Sequence, residues 1–253
     1  MILYSNIKKK LIIFKKIKYG RNFSGKKVLS GRCAGSKKKL RNIDFFYAKN
    51  GVLSSKAQIL DFVYDPYRLI DLALIFYKNG CLINTYRYIL KANIYKINDI
   101  IEFGELASLR EGNLVPLYKV NNGSLVSNIE IYPGSGAKYI RSGGSKGKLL
   151  SKGIKYCVIK LPSNKLVYIS VNCFGILGSL DVPRVIVNKN AGYSKWKGRR
   201  PHVRGSAMNP VDHPHGGGEG KTSIGRCGPY SPWGKLCFGK KTVFTKKNRI
   251  KVI

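Results

Sequence analysis

Asp212, His213, Pro214 and His215 run directly into Gly216, Gly217, Gly218, Glu219, Gly220, Lys221 and Thr222. Three kinds of chemistry are open to such a stretch. Asp212 beside His213 could orient the imidazole as half of a general-base dyad. His213 and His215, with Cys227 or Cys237, could ligate a metal ion. Gly220-Lys221-Thr222 could close a phosphate-cradling loop. The last reading fails on pattern, because G-x-x-x-x-G-K-[ST] requires glycine where His215 stands, and a buried strand where Pro210 and Pro214 make turns. The dyad has no accompanying G-x-S-x-G, zincin motif or carboxylate pair. The metal reading has no recognised ligand spacing. An RNA-dependent or metal-dependent hydrolase using Asp212, His213 and His215 is therefore the alternative reading, and no catalytic or metal-binding residue is expected.

Charge points elsewhere. The 253-residue chain holds 47 Lys and Arg against 12 Asp and Glu, a formal +35. Small soluble domains usually carry a net charge of about 2–8 in magnitude, so the excess implies a polyanionic partner. Residues 1–41 contain 14 basic and no acidic residues; residues 182–253 contain 16 basic residues with only Asp212 and Glu219; the middle has 17 basic residues and ten acids. Two basic ends thus flank a nearly ordinary centre, the pattern of extensions that lie against phosphates.

The centre reads as β. Ala57–Tyr64, Leu72–Tyr77 and Cys81–Ile89 are rich in strand formers, the last two joined through Asn79-Gly80, a hairpin signal; Ile43–Ala48 is a further candidate. After the turn at Glu111-Gly112-Asn113 come Leu114–Val120, Leu125–Tyr132, Lys155–Leu161 and Lys165–Val171. Short strands at regular turn spacing, with no sustained helical period, predict an all-β fold of two small barrels. The expected organisation is a basic N-terminal extension (1–41), a first barrel (42–107), a second barrel (108–182) and an extended basic Gly/Pro-rich tail (183–253). Six cysteines without C-x-x-C spacing read as reduced thiols, those in strands as core filler. No apolar run is long enough to span a bilayer.

In the tail, Ser194–Gly205 interleaves Lys195, Lys197, Arg199, Arg200 and Arg204 with Trp196 and two glycines. Cations meet phosphates, the indole stacks on bases, and glycines allow close backbone approach. By the same logic Gly216, Gly217 and Gly218 could offer bare N–H donors to phosphate oxygens, while His213 and His215 could contact phosphate or stack on a base.

Ala207–Gly220, preceded by Gly198-Arg-Arg-Pro201 and Val203-Arg-Gly205 and followed by Pro232-Trp-Gly234, resembles the signature of the large-subunit ribosomal protein L-two family. Further matches are Gly20-Arg-Asn22, Gly35 with the basic run to Arg41, Ile43-Asp-Phe45, Tyr64-Asp-Pro66 with Arg68, Arg87–Leu90, Gly112-Asn113 with Pro116-Leu117, Asn128-Ile-Glu130, Pro133-Gly134 and Leu161-Pro-Ser163. The resemblance spans about residues 20–245. It implies an OB-fold barrel, then an SH3-like barrel, then a segment penetrating large-subunit rRNA near the peptidyl transferase centre. Implied partners are that rRNA, neighbouring ribosomal proteins and the small subunit, with no homo-oligomer, no enzymatic role and no cofactor beyond Mg2+ as an RNA counterion. The rRNA contacts expected are Lys37, Lys38, Lys39, Arg41, Arg68, Arg87, Arg141, Lys195, Trp196, Arg199, Arg200, Arg204, Asn209, His213, His215, Gly216, Gly217, Gly218, Lys221, Trp233 and Lys235. His202, where the family often has Thr, and Asp181–Asn190 depart from the pattern.

Lys outnumbers Arg by 34 to 13, and Ile, Asn, Tyr and Phe are abundant, as expected of an A/T-rich gene. With a bacterial-type signature and a start read as uncleaved, this suggests an organellar ribosome, a mitochondrion being favoured over a plastid-type organelle.

Overall fold

The computed structural model describes residues 2–13, 19–29, 31–46, 54–182 and 190–239. Within these, one compact unit draws on 2–13 and 38–182, and a second on 19–37 and 190–239.

The first unit opens with a helix the sequence reading did not anticipate, α1 (Ile2–Lys10). Only nine residues long, with three consecutive lysines, it hides its period; Lys8, Lys9 and Lys10 sit in the last turn, where cations suit the helix dipole. Lys8 pairs with Asp61. Then β1 (Ile12–Ile13) pairs antiparallel with β2 (Leu40–Arg41).

Four strands build the OB-type barrel: β3 (Ser55–Asp65), β4 (Ile70–Tyr77), β5 (Tyr86–Leu90) and β6 (Ile100–Phe103). Strand β4 is buried on both faces. Ala73, Ile75 and Tyr77 enter one cluster with Ile59, Ile89 and Phe103, while Ile70, Leu72 and Leu74 enter another with Tyr88, Leu90 and Leu180. That double burial is why its sequence is apolar throughout instead of alternating. Cys81–Ile89 starts as a strand only at Tyr86, because the Lys78–Thr85 connection is longer than an Asn-Gly hairpin. Gly80 (φ 97) lies so close to β3 that a Cβ would stand 2.7 Å from Ser55 Cβ, and Asn84 turns the chain with φ 61. Ile43–Asp44 contributes a single bridge to Tyr88, not a strand; Ala48 lies outside the described residues.

The second, SH3-like barrel comprises β7 (Leu114–Pro116), β8 (Leu125–Ser127), β9 (Ile129–Glu130), β10 (Ala137–Tyr139), β11 (Gly147–Lys152), β12 (Tyr156–Lys160), β13 (Leu166–Ser170) and β14 (Phe174–Leu177). Pairing runs β13-β12-β11-β8-β14-β7-β6-β3-β4-β5, the two barrels meeting in one parallel pair, Phe103 with Leu114. Val115, Leu117, Val126, Leu149, Ile159, Val167 and Ile169 fill the second core. Strand β7 ends at Pro116, where Lys119 and Val120 turn back on Pro116 and Leu117. Strands β1, β2, β6, β10, β11 and β14 escaped the sequence reading: β1, β2 and β10 are only two or three residues long, β14 carries Gly175, and β11 carries three polar residues in six.

All six cysteines are free. Cys157 and Cys173 fill the second core, where burial pushes their thiols up to about 11 and about 12. Cys81, Cys227 and Cys237 are exposed. Among the described residues no helix is long and apolar enough to cross a membrane.

Candidate nucleic-acid interface

The second unit is held together by backbone. Cys33 N–H donates to Gly198 O (3.0 Å), Ser36 N–H to Trp196 O (2.8 Å) and Arg200 N–H to Gly31 O (2.9 Å), and Arg32 bridges Arg199 antiparallel. Two glycines make the approach possible: a Cβ on Gly35 would fall 2.4 Å from Trp196 O, and one on Gly198 (φ 76) 2.7 Å from Cys33 O. A single helical turn, α2 (Tyr193–Trp196), precedes the clamp, and Trp196 is 50% exposed. With both backbones occupied in pairing, the side chains of Lys195, Arg199, Arg200 and Arg204 project into solvent. Arg32 joins them. Sequence reading missed it because its partner, Arg199, is remote in the chain and no local signal marks the contact.

Residues 205–217 form a closed loop around one imidazole. His213 is 8% exposed, and its Nδ1 accepts the His215 N–H at 3.0 Å. Its ring lies against Gly205, where a Cβ would meet ring atoms at 2.3–2.6 Å. His215 Nε2 accepts the Tyr230 N–H at 2.9 Å, tying the loop to the next segment. The two rings are 4.7 Å apart, and His215 meets the Tyr230 ring edge-on at 6.5 Å. Partial removal from water and the proximity of His213 and Arg226 lower the His215 pKa.

This geometry corrects the expectation for the glycine amides and agrees with setting aside the dyad and the phosphate loop. The imidazole of His213 is oriented by a backbone amide rather than by Asp212, so the dyad is not built. Gly216 and Gly217 do not present bare N–H groups, because these donate to His213 O (2.9 Å) and Met208 O (3.1 Å). Glycine is needed there by the chain itself: Cβ atoms on Gly216, Gly217 and Gly218 would lie 2.3 Å from Asn209 O, 2.5 Å from Pro210 Cγ and 2.2 Å from Thr222 Cγ2. The Thr222 hydroxyl donates to Gly217 O (3.0 Å), a use unlike that of a phosphate loop. Around the loop Asn209, Gly218 and Lys221 are exposed. Trp233, 52% exposed, tips a turn closed by Ser231 N–H on Lys235 O (2.8 Å), with Lys235 also exposed. Among the described residues no three His, Cys, Asp or Glu side chains gather where a metal could be held.

Cations of the first unit divide into two kinds. Arg68 pairs with the fully buried Asp65 (2.9 Å), and Arg87 with Asp44 (2.8 Å), so both have internal structural work that the sequence reading assigned wholly to RNA. Arg68 and Arg141 also lie over the Phe45 ring at 5.5 and 4.9 Å. Lys37 belongs to the second unit; Lys38, beside Tyr67 at 6.0 Å, and Lys39 belong to the first. All three are exposed, and Arg41 is half-buried.

Family models cover most of the chain. Residues 8–102 match Ribosomal Proteins L2, RNA binding N-terminal domain, and residues 110–234 match Ribosomal Proteins L2, C-terminal domain. The chain belongs to the ribosomal protein L2 family. As a member of that family it is a structural ribosomal protein that binds rRNA and has ribosomal proteins for neighbours. The first matched segment contains the end of α1 and the OB-type barrel except the last residue of β6; the second contains the SH3-like barrel and the loops around Trp196, His213 and Trp233.

Proposed function

We propose that this protein positions the large-subunit rRNA around the peptidyl transferase centre, with its second unit inserted between RNA elements and its barrels anchoring it outside. The observation that carries the reading is the distribution of ion pairs. Residues 16–37 and 188–249 hold 21 Lys and Arg against Asp212 and Glu219. Every ion pair among the described residues lies in the first unit. Cations so concentrated, with no ion pair among the described ones, are stabilised by phosphates.

On this reading Lys195, Arg199, Arg200, Arg204, Lys221 and Lys235 meet backbone phosphates, Trp196 and Trp233 stack on bases, and the 205–217 loop is a rigid plug whose shape is set internally. The role is assembly, not catalysis: His213 spends Nδ1 on its own loop. No cofactor is required beyond RNA-associated Mg2+. The protein acts as one copy per large subunit, supports contact with the small subunit, and works on an organellar ribosome, a mitochondrial one in preference to a plastid-type one.

Sedimentation of a native organellar extract at about 0.5 M salt, where weak attachment is largely screened, tests this. Comigration with the large subunit, abolished by RNase, is the expected result. A slowly sedimenting free protein in untreated extract overturns it.

A further inference from the structure

Ile131 to Leu180 contains eight Lys and Arg and no acidic residue, although nine of the ten acids of the middle region lie before it. The ordinary charge balance of the centre therefore belongs to the first barrel and the start of the second. Strands β11, β12 and β13 form the antiparallel end of the sheet within this acid-free stretch.

Their inner face is core: Leu149, Cys157, Ile159, Val167 and Ile169 are buried. By alternation the outer face carries Tyr156 and Tyr168, 59% and 38% exposed, together with Lys148 and Lys160. Register fixes how these are arranged. Val158 is opposite Tyr168 and Tyr156 opposite Ser170, which makes the two tyrosines diagonal neighbours on adjacent strands, about 7–8 Å apart. Lys148 is directly opposite Lys160, whose other partner is Leu166, so the lysines lie toward one end of the face and the rings toward the other.

Two features of that face are unfavourable in a free protein. Like charges directly opposite across a strand pair are destabilising, yet Lys148 and Lys160 face each other with no carboxylate in the stretch to relieve them. Large aromatic rings lie on an outward sheet face. Both features become favourable against a single-stranded nucleic acid, whose bases stack on flat rings presented by a sheet and whose phosphates take the lysines. A duplex presents no free base faces.

We propose that the outer face of β11–β13 is a second, independent RNA site, a stacking platform for unpaired nucleotides in which Tyr156 and Tyr168 take bases and Lys148 and Lys160 take the adjoining phosphates. It rests on the rRNA-binding reading and extends it from the loops of the second unit to the second barrel.

The test uses the full-length protein and a single-stranded oligouridine 8-mer carrying 4-thiouridine, with a 20-base-pair RNA duplex as competitor. Binding is read by anisotropy, and ultraviolet crosslinks are mapped to peptides. In the wild type, crosslinks fall within residues 155–169 and survive excess duplex. Tyr156→Ala with Tyr168→Ala lowers single-strand affinity about tenfold or more and removes those crosslinks, without changing the salt slope. Tyr→Phe at both positions, which keeps the rings, retains both signals. Lys148→Ala with Lys160→Ala lowers the log–log salt slope by about 1.4. Unchanged crosslinks and affinity in the double Tyr→Ala variant overturn the platform while leaving RNA binding by the rest of the chain intact; a wild type that binds neither RNA overturns the broader reading. Protection of the Tyr156 and Tyr168 rings from hydroxyl-radical footprinting in native large subunits that persists after RNase digestion assigns the face to a protein partner and also overturns the proposal.

Discussion

At the scale of single residues, what a side chain already does within the chain decides what it can do for RNA. His213 and His215 accept backbone N–H groups, at Nδ1 and Nε2. His213→Asn, which can place its side-chain carbonyl near the position of Nδ1, is expected to assemble into subunits close to normally; His213→Ala loses assembly and translation in the same proportion. Peptide-bond formation abolished in normally assembled subunits containing His213→Ala would contradict the assembly role. The His215 bond makes the loop sensitive to acid. With the folded pKa of His215 lowered, the unfolded state binds more protons, so the loop's stability is fully present above about pH 6.5 and is lost as pH falls through the lower folded value. Amide exchange at Tyr230 should therefore accelerate on acidification, measured against amides of β4. Arginines sort by the same rule. Arg68→Ala strands the buried Asp65 carboxylate and should lower the stability of the first barrel by about 3 kcal/mol in thermal melts. Arg199→Ala and Arg200→Ala should leave the melt unchanged and lower the RNA-binding salt slope by roughly one unit for each phosphate left unneutralised.

At the scale of elements, legibility followed exposure to a single periodic environment. Strands β12 and β13 alternate between core and solvent and were readable nearly to their ends, whereas β4 was readable through its length and strand formers alone. Elements whose residues answer to long-range partners were not legible. Strand β14 passes Gly175 beside Ile129 and Leu117, and the Arg32–Arg199 bridge joins segments far apart in sequence. The Asn128-Ile129-Glu130 stretch was visible as a motif, but its work was not. Glu130, 1% exposed, accepts N–H groups from Gly134 (3.3 Å), Gly136 (3.1 Å) and Phe174 (3.2 Å), joining the β9–β10 turn to β14. Burial raises its pKa, and the three amides oppose that rise. Glu130→Ala leaves three amides without their acceptor and should destabilise the second barrel by about 2–5 kcal/mol; Glu130→Gln, which keeps one acceptor oxygen, should lose less. Equal melts for the two variants would show that shape, not the carboxylate, joins these strands. Of the candidate interface, the cationic and aromatic members other than Arg32 could be picked out by composition. The internal use of the glycine amides could not, because nothing local distinguishes a glycine that admits RNA from one that admits its own chain.

At the scale of the whole molecule, two kinds of stability coexist. The first unit has three apolar clusters and all the ion pairs found among the described residues. In the second, only Gly198 and His213 are buried among the described residues, while the charge is overwhelmingly of one sign. Backbone pairing and the histidine loop define its shape, but little apolar area is removed from water to offset the ordering entropy and the repulsion among its cations. On the proposed reading RNA supplies what is missing, by neutralising charge and burying the exposed indoles. Salt should then act in opposite senses on the two states. In the free protein, raising KCl from about 0.05 to about 0.3 M screens the repulsion and should slow amide exchange at Cys33, Ser36 and Arg200, whose N–H groups close the clamp, while exchange in β4 stays constant. In the RNA complex the same increase weakens phosphate contacts and should speed exchange at those three amides. Exchange at the clamp that is slow in the free protein at low salt, and indifferent to RNA, would mean that the second unit folds independently and that its cations serve only to bind.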